Sequence, residues 1–345
     1  MTTISNTELS AAEAFKTRPL TPLQRVHRML HLHPEISPLI VLLVAMLAFG
    51  LANDRFLSPG NISLILLQVA VVGSLSVAQT LVILTAGIDL SVGALMILVS
   101  MVMGSLVGLA GLPGPIAFAI GILVGVLAGL LNGVLVSVLR LPPFITTLGT
   151  LSIFMALALL MSNGVAIQGE KLGGFLLWTA AAFSVGPFNF TVGVILMLLM
   201  YLGMGFVLRQ TGWGRHLYAV GSDPLAARLS GINTRRVLMS VYAVAGFLVT
   251  LSAWILIGRN NAATTSAAVD VNLDSITAVV IGGTSLFGGR GTLLGTFLGA
   301  ITVAVFRNGL SLARVDVLYQ TLAIGILILV AVALDQWIRR AGVKG

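Results

Sequence analysis

Apolar runs of about twenty residues, repeated from residue 37 to residue 337, constrain this chain more than any other feature. A run of that length is what one helix needs to cross the hydrocarbon core of a bilayer. The runs are continuous rather than alternating, which argues for helices and against a barrel. The charge content agrees. Only 9% of residues are charged and 57% are hydrophobic, whereas a soluble domain carries about 25% charged residues. The fold class expected is an all-α polytopic membrane protein of about ten helices, some of them broken.

The expected spans are 37–52, 62–84, 94–109, 116–139, 144–161, 191–208, 237–257, a short apolar segment at 275–287, 292–306 and 317–337. The interval 162–190 is irregular. Its apolar piece FLLWTAAAF is too short to span, and it is read as interfacial or re-entrant. RNNAATTSAAVDVNLD (259–274) is read as a polar loop. Residues 1–36 are polar and form an N-terminal segment without the apolar core of a signal peptide. Residues 37–338 form the membrane domain, and 339–345 a short basic tail. Alternating the spans from an inside N-terminus places fourteen of the nineteen Lys and Arg on one side. By the positive-inside bias that side is cytoplasmic, with both termini on it. The formal charge of +8 is accounted for in this way and calls for no nucleic-acid partner.

The longest polar interval after the N-terminal segment is 209–236, RQTGWGRHLYAVGSDPLAARLSGINTRR, with five arginines. It contains a complete short helix. Ser222 or Asp223 serves as N-cap, Pro224 fits the first helical position, and Gly231 supplies a left-handed stop. Leu225, Ala226 and Leu229 share one small apolar face. So short a helix is marginal alone, so it packs on something: its own protein, or a cytosolic partner that docks there.

Two glycine-bearing breaks, TAGIDLSVG (85–93) and GGTSLFGGRG (282–291), follow apolar runs in the first and second parts of the chain. Paired interruptions of this kind mark transport paths between structural repeats. Among the acidic residues, Asp89 lies in a tight break between two spans, and Asp335 in the last turns of the final span. Intramembrane carboxylates are costly and usually functional. Asp89 reads either as a cap on the third span at the membrane face, with Ser91 helping, or as a ligand contact. Neutral polar residues lie in or beside spans: Gln68, Gln79 and Thr85 in the first part, Asn132, Thr146 and Thr147 in the middle, Thr284, Ser285 and Asn308 near the end. As a set they suit the path of a neutral, hydroxyl-rich solute better than an ion or a proton relay, although each alone could serve helix packing.

Several chemistries lack their motifs. There is no G-x-x-x-x-G-K-[ST] phosphate loop, no His/Glu cluster with zinc spacing, and no G-x-S-x-G elbow. His27, His31 and His33 read as solvated tail residues. The chain has no cysteine, which removes disulfide and thiolate chemistry. No catalytic residue, metal or cofactor is expected in this chain. Energy for active transport would come from an ion gradient or from a separate ATPase using ATP and magnesium.

Four segments carry a family resemblance: GIDLSVG (87–93), PPFITTLGT (142–150), AVGSDPLAARLSGIN (219–233) and LDSITAVVIGGTSLFGGRGTLLGT (273–296). Together they resemble the ribose-type sugar permeases of bacterial ABC importers, within the wider branched-chain amino acid and sugar permease family. The resemblance runs from about Ile36 to Trp337. It implies a homodimer with a sugar path at its axis, set in the bacterial inner membrane. It also implies a cytosolic ABC ATPase with two nucleotide-binding cassettes and a periplasmic sugar-binding protein. The segment matching 221–232 would be the coupling helix that seats in the ATPase. Ser222, Asp223, Pro224, Ala226, Ala227, Arg228, Leu229 and Gly231 carry that role over. The solute expected is a neutral monosaccharide of the fructose, ribose or xylose class. The rivals are an ion-coupled secondary transporter, a membrane scaffold and a branched-chain amino acid permease. An ion-coupled transporter would require buried carboxylates, of which the sequence offers essentially Asp89. The scaffold would not need paired broken helices. A zwitterionic amino acid would favour charged groups along the path.

Overall fold

The structure is a computed structural model that describes residues 35–266, 268–326 and 329. The N-terminal segment with its histidines, Asp335 and the basic tail lie outside the described residues. The helices are α1 (Ile36–Ala52), α2 (Pro59–Leu84), α3 (Val92–Gly108), α4 (Gly114–Ser137), α5 (Pro143–Ser162), α6 (Gly173–Leu177), α7 (Val192–Gln210), α8 (Gly212–Ser222), α9 (Pro224–Leu229), α10 (Thr234–Asn260), α11 (Ala268–Ile281), α12 (Leu293–Leu312) and α13 (Val317–Ile326). Four short strands form two antiparallel pairs: β1 (Ile167–Gln168) with β4 (Ala262–Ala263), and β2 (Ala182–Val185) with β3 (Phe188–Thr191).

Six of these helices are long and apolar enough to cross a membrane, and four shorter apolar helices stand where the remaining spans are expected. The protein is an all-α, multi-pass membrane protein. Proline opens α2, α4, α5 and α9, where its missing N–H removes no hydrogen bond.

Helices α2 and α10 are innermost. From Val69 to Leu84 every residue of α2 is buried. Helix α4 shows how the sequence chooses its buried face. Gly121, Gly125, Gly129 and Gly133 recur every fourth residue and are inward, while Leu123, Leu127 and Leu131 are exposed on the opposite face. A methyl group at Gly129 would collide with the Tyr242 carbonyl, and one at Gly125 with Thr250 and the Gly246 carbonyl. The glycine stripe therefore lets α4 and α10 meet backbone to backbone, as small residues do between helices in lipid.

The interval 162–190 lies across the bundle end opposite the basic 209–236 stretch, between the end of α5 and the start of α7. Trp254 Nε1 donates to the Phe175 carbonyl (3.1 Å), and Thr179 Oγ1 donates to the Trp254 carbonyl (3.0 Å). Phe175 also stacks on Trp254 at 5.1 Å. It forms a cap rather than a span.

Two expectations need correction. The polar run 259–274 is not all loop: α11 begins at Ala268, within it. The end of the ninth expected span is also wrong, because α12 runs past Phe306 to Leu312. One contact explains both. Asp274 of α11 and Arg307 of α12 form an ion pair, with Nη2 donating to Oδ1 at 2.8 Å and Nε 2.6 Å from Oδ2. Each charge alone argues against a buried helix, but the pair is tolerated. Asp89 is therefore not alone among the buried carboxylates, since Asp274 is only 3% exposed.

Candidate functional site

The polar stretch 209–236 folds into two helices rather than one. Thr211 caps α8 by accepting from the Gly214 N–H at 3.2 Å. Asp223, not Ser222, caps α9: its Oδ1 accepts from the N–H groups of Leu225 (2.9 Å) and Ala226 (3.0 Å). At the other end Gly231 has φ +84°. The Gly231 N–H bonds the Arg228 carbonyl (3.0 Å) and the Ile232 N–H bonds the Ala227 carbonyl (3.1 Å). That pair of hydrogen bonds is the Schellman stop, and the left-handed residue at its centre has to be glycine or close to it. The helix is thus fixed at both ends by local chemistry. Ala227 faces its own protein at 4% exposed, whereas Leu225 and Leu229 are 68% and 82% exposed. Ala226 and Arg228 are exposed as well.

Helix α8 joins this element to the rest. Trp213 Nε1 donates to Ser240 Oγ of α10 (2.8 Å), and Tyr218 Oη donates to the Gly291 carbonyl (2.9 Å). A methyl group at Gly221 would collide with the Leu84 carbonyl, and one at Gly289 with Ser222. The Gly289 N–H itself bonds the Leu84 carbonyl at 2.9 Å. The last turn of α8 therefore lies directly on both glycine-bearing breaks, where the first follows Leu84 and the second surrounds Gly288 and Gly289.

The first break is re-entrant. Ser76 Oγ donates to the Ser275 carbonyl (3.4 Å), and one turn earlier on α11 Asn272 Nδ2 donates to the Leu90 carbonyl (2.7 Å). At 1.5 Å per helical residue, Leu90 stands about 16 Å back along the bundle from the end of α2. Asp89 is buried at 3% exposed, not placed at the membrane face. Its Oδ1 accepts from the Ser91 N–H (2.7 Å) and Ser91 Oγ (2.6 Å), a local turn that seats the start of α3. Asn132 Nδ2 reaches Ser91 Oγ (2.9 Å). Thr147 Oγ1 donates to the Ile88 carbonyl and accepts from the Leu90 N–H, both at 3.1 Å.

The structure thus gathers Asp89, Asn132 and Thr147 around one segment and adds Ser91 and Asn272. Thr85 bonds back to the Val82 carbonyl (2.8 Å) at the end of α2. Ser285 lies in the second break, where its Oγ accepts from the Phe287 N–H (3.1 Å). Asn308 is elsewhere: it exchanges two bonds with Asn61, 2.8 and 3.0 Å, near the capped end. Gln68, Gln79, Thr146 and Thr284 keep buried polar side-chain atoms without a protein partner, as do Asn132 Oδ1, Asn272 Oδ1 and Tyr242 Oη. Buried polar groups are nearly always paired, so an interior with this many unused donors and acceptors can solvate something polar and uncharged. Asn272 was hidden in the run taken for a loop. Tyr242 could be found only from its place near the first break, where a methyl group on Gly87 would lie 3.2 Å from its hydroxyl.

A family model described as the permease component of branched-chain amino acid transport systems matches residues 61–332. The fructose import permease protein of Rhizobium meliloti is 44% identical over 331 residues, covering 95% of this chain and 92% of that one. The ribose import permease protein of Bacillus subtilis is 38% identical, covering 88% and 92%. The D-allose transport system permease protein of Escherichia coli is 34% identical, covering 87% and 91%.

Proposed function

The chain belongs to the permease-component family of branched-chain amino acid transport systems, and from that premise we propose that it is the membrane permease of an ATP-driven sugar importer. Its solute is a neutral monosaccharide of the fructose, ribose or xylose class. Three similar permeases are named for fructose, ribose and allose, and the interior offers unpaired neutral polar atoms for such a solute. The importer sits in the bacterial inner membrane with the basic end and both termini in the cytoplasm. Two copies form a dimer with the path at its axis. A separate cytosolic ATPase with two nucleotide-binding cassettes hydrolyses ATP, and a periplasmic protein delivers the sugar.

The observation that carries the mechanism is the position of α8 and α9. Helix α9 turns Leu225 and Leu229 outward, and α8 rests on both breaks through Gly221 and Tyr218. A push on α9 by closing cassettes is transmitted by a doubly capped helix that does not fray. It reaches the Leu84 turn and the Gly288–Gly291 turn together. Displacing those turns moves the re-entrant segment at Asp89 and the α11–α12 hairpin, which opens the path on the other face.

The test is ATP hydrolysis in proteoliposomes that hold this chain, the ATPase and the sugar-loaded binding protein. Wild type is compared with Leu225→Asp plus Leu229→Asp. Stimulation by one loaded binding protein, lost in the variant while the chain still inserts and melts normally, is the expected result. Uptake by the chain alone down an ion gradient would overturn the reading.

A further inference from the structure

A groove of about 560 Å³ runs along the outside of the bundle between α7 and the start of α12. Leu198, Leu202 and Phe206 form one wall, and Phe297 the other. Leu202 and Phe206 are 70% and 65% exposed. At the basic end the groove finishes at Arg209 and Tyr218. Tyr218 is held above its ordinary range by burial, against the opposing pull of the Arg209 charge beside it.

We propose that this groove binds one anionic phospholipid, with an acyl chain lying along α7 and the phosphate on Arg209. Three observations carry this. From Leu198 to Arg209 the groove is about 16 Å long, close to the depth of one leaflet's hydrocarbon. Its interior is apolar and faces outward on a membrane-spanning helix, where lipid is the solvent. Among the described residues Arg209 has no acidic partner, the ion pair there being Asp274 with Arg307. A second copy of the chain is a poorer occupant. A two-fold interface there would bury Arg209 of both copies in one patch, and among the described residues no acidic one lines the groove to pair either of them. A cation at the mouth of an interhelical groove is what anionic headgroups select. The bound lipid would lie against Tyr218, the residue that holds the Gly291 carbonyl, and so against the second break.

The full-length chain is assembled in nanodiscs of phosphatidylcholine containing a minor fraction of phosphatidylglycerol, and the lipid retained on release is weighed by native mass spectrometry. Phosphatidylglycerol is expected to be enriched on the wild type. Arg209→Gln reduces that enrichment roughly fivefold, and Arg209→Lys keeps most of it. A methyl group at Gly205, which lines the groove, meets nothing within 4 Å, so the side chain of Gly205→Trp starts in open space and is expected to fill the groove. It should remove the retained lipid while the melting temperature stays unchanged. Equal retention of both lipids, or enrichment untouched by Arg209→Gln, overturns the proposal. So does a disulfide between two copies of Gly205→Cys in membranes, which would make the groove a protein interface.

Discussion

The two glycine-bearing breaks do the same thing to the chain, turning it back into the bundle, but they are held in opposite ways. The first is fixed by side chains. Thr147, Asn132 and Asn272 reach it from three different helices, and Asp89 folds it locally. The second has positive φ at Gly283, Gly288, Gly289 and Gly291, and its own backbone closes it through Ser285 N–H to the Arg290 carbonyl at 2.9 Å. Beyond the backbone contacts to Leu84 and Tyr218, it is held at a distance by the Asp274–Arg307 pair that clamps the arms of the α11–α12 hairpin. One break is a strut tied at several points, and the other is a turn between clamped arms. The α8 terminus touches both, so one displacement meets a stiff element and a pliable one.

The largest effect that would break this contrast is loss of the clamp. Arg307→Met takes the cation of the pair away from a carboxylate that stays buried, at a cost of up to about 3–5 kcal/mol in thermal unfolding in detergent. Adding Asp274→Leu should restore most of that stability, because an apolar pair of similar size is nearly neutral there. A single mutant that melts like the wild type would show that the Asp274–Arg307 pair does not anchor the second break. Next is Gly221→Ala, which places a methyl group on the Leu84 carbonyl. It should cost about 1–3 kcal/mol by overpacking, read as a lower melting temperature, and should disturb both breaks at once.

A matched pair sharpens the contrast further. Thr147→Val strips two bonds from the first break and leaves the Leu90 N–H without its partner, costing about 1–3 kcal/mol. Thr284→Val makes the same change at the second break, where the hydroxyl has no protein partner, so its melting temperature should not fall, because an apolar group replaces a buried unpaired hydroxyl. If Thr284 is used by the solute, that substitution weakens uptake without weakening the fold. Equal stability losses would mean the breaks are held alike.

What could be read from the chain follows from what is local. The caps of α9 lie within ten residues of one another, and Asp223, Pro224 and Gly231 announce them. Both breaks show in their glycines, and the spans in their length. The misreadings are non-local. Asp274 and Arg307 are 33 residues apart, and each looks like a loop residue until the other is beside it. Helix α8 was concealed by Gly212, Gly214 and Gly221, poor helix formers, of which two are needed: Gly214 lies against the Leu208 backbone and Gly221 against the Leu84 carbonyl. That the polar stretch and both breaks form one junction is a fact of packing, and no single segment carries it.

The most direct measurement of that junction is the amount of sugar taken up per ATP hydrolysed by Tyr218→Phe in the reconstituted importer. The substitution removes only the bond to the Gly291 carbonyl, worth about 1 kcal/mol. Coupling through the junction predicts ATPase binding and hydrolysis near wild type, with uptake per ATP reduced about fivefold. An unchanged ratio would contradict the account, since the α8 contact with the second break would then carry no part of the movement.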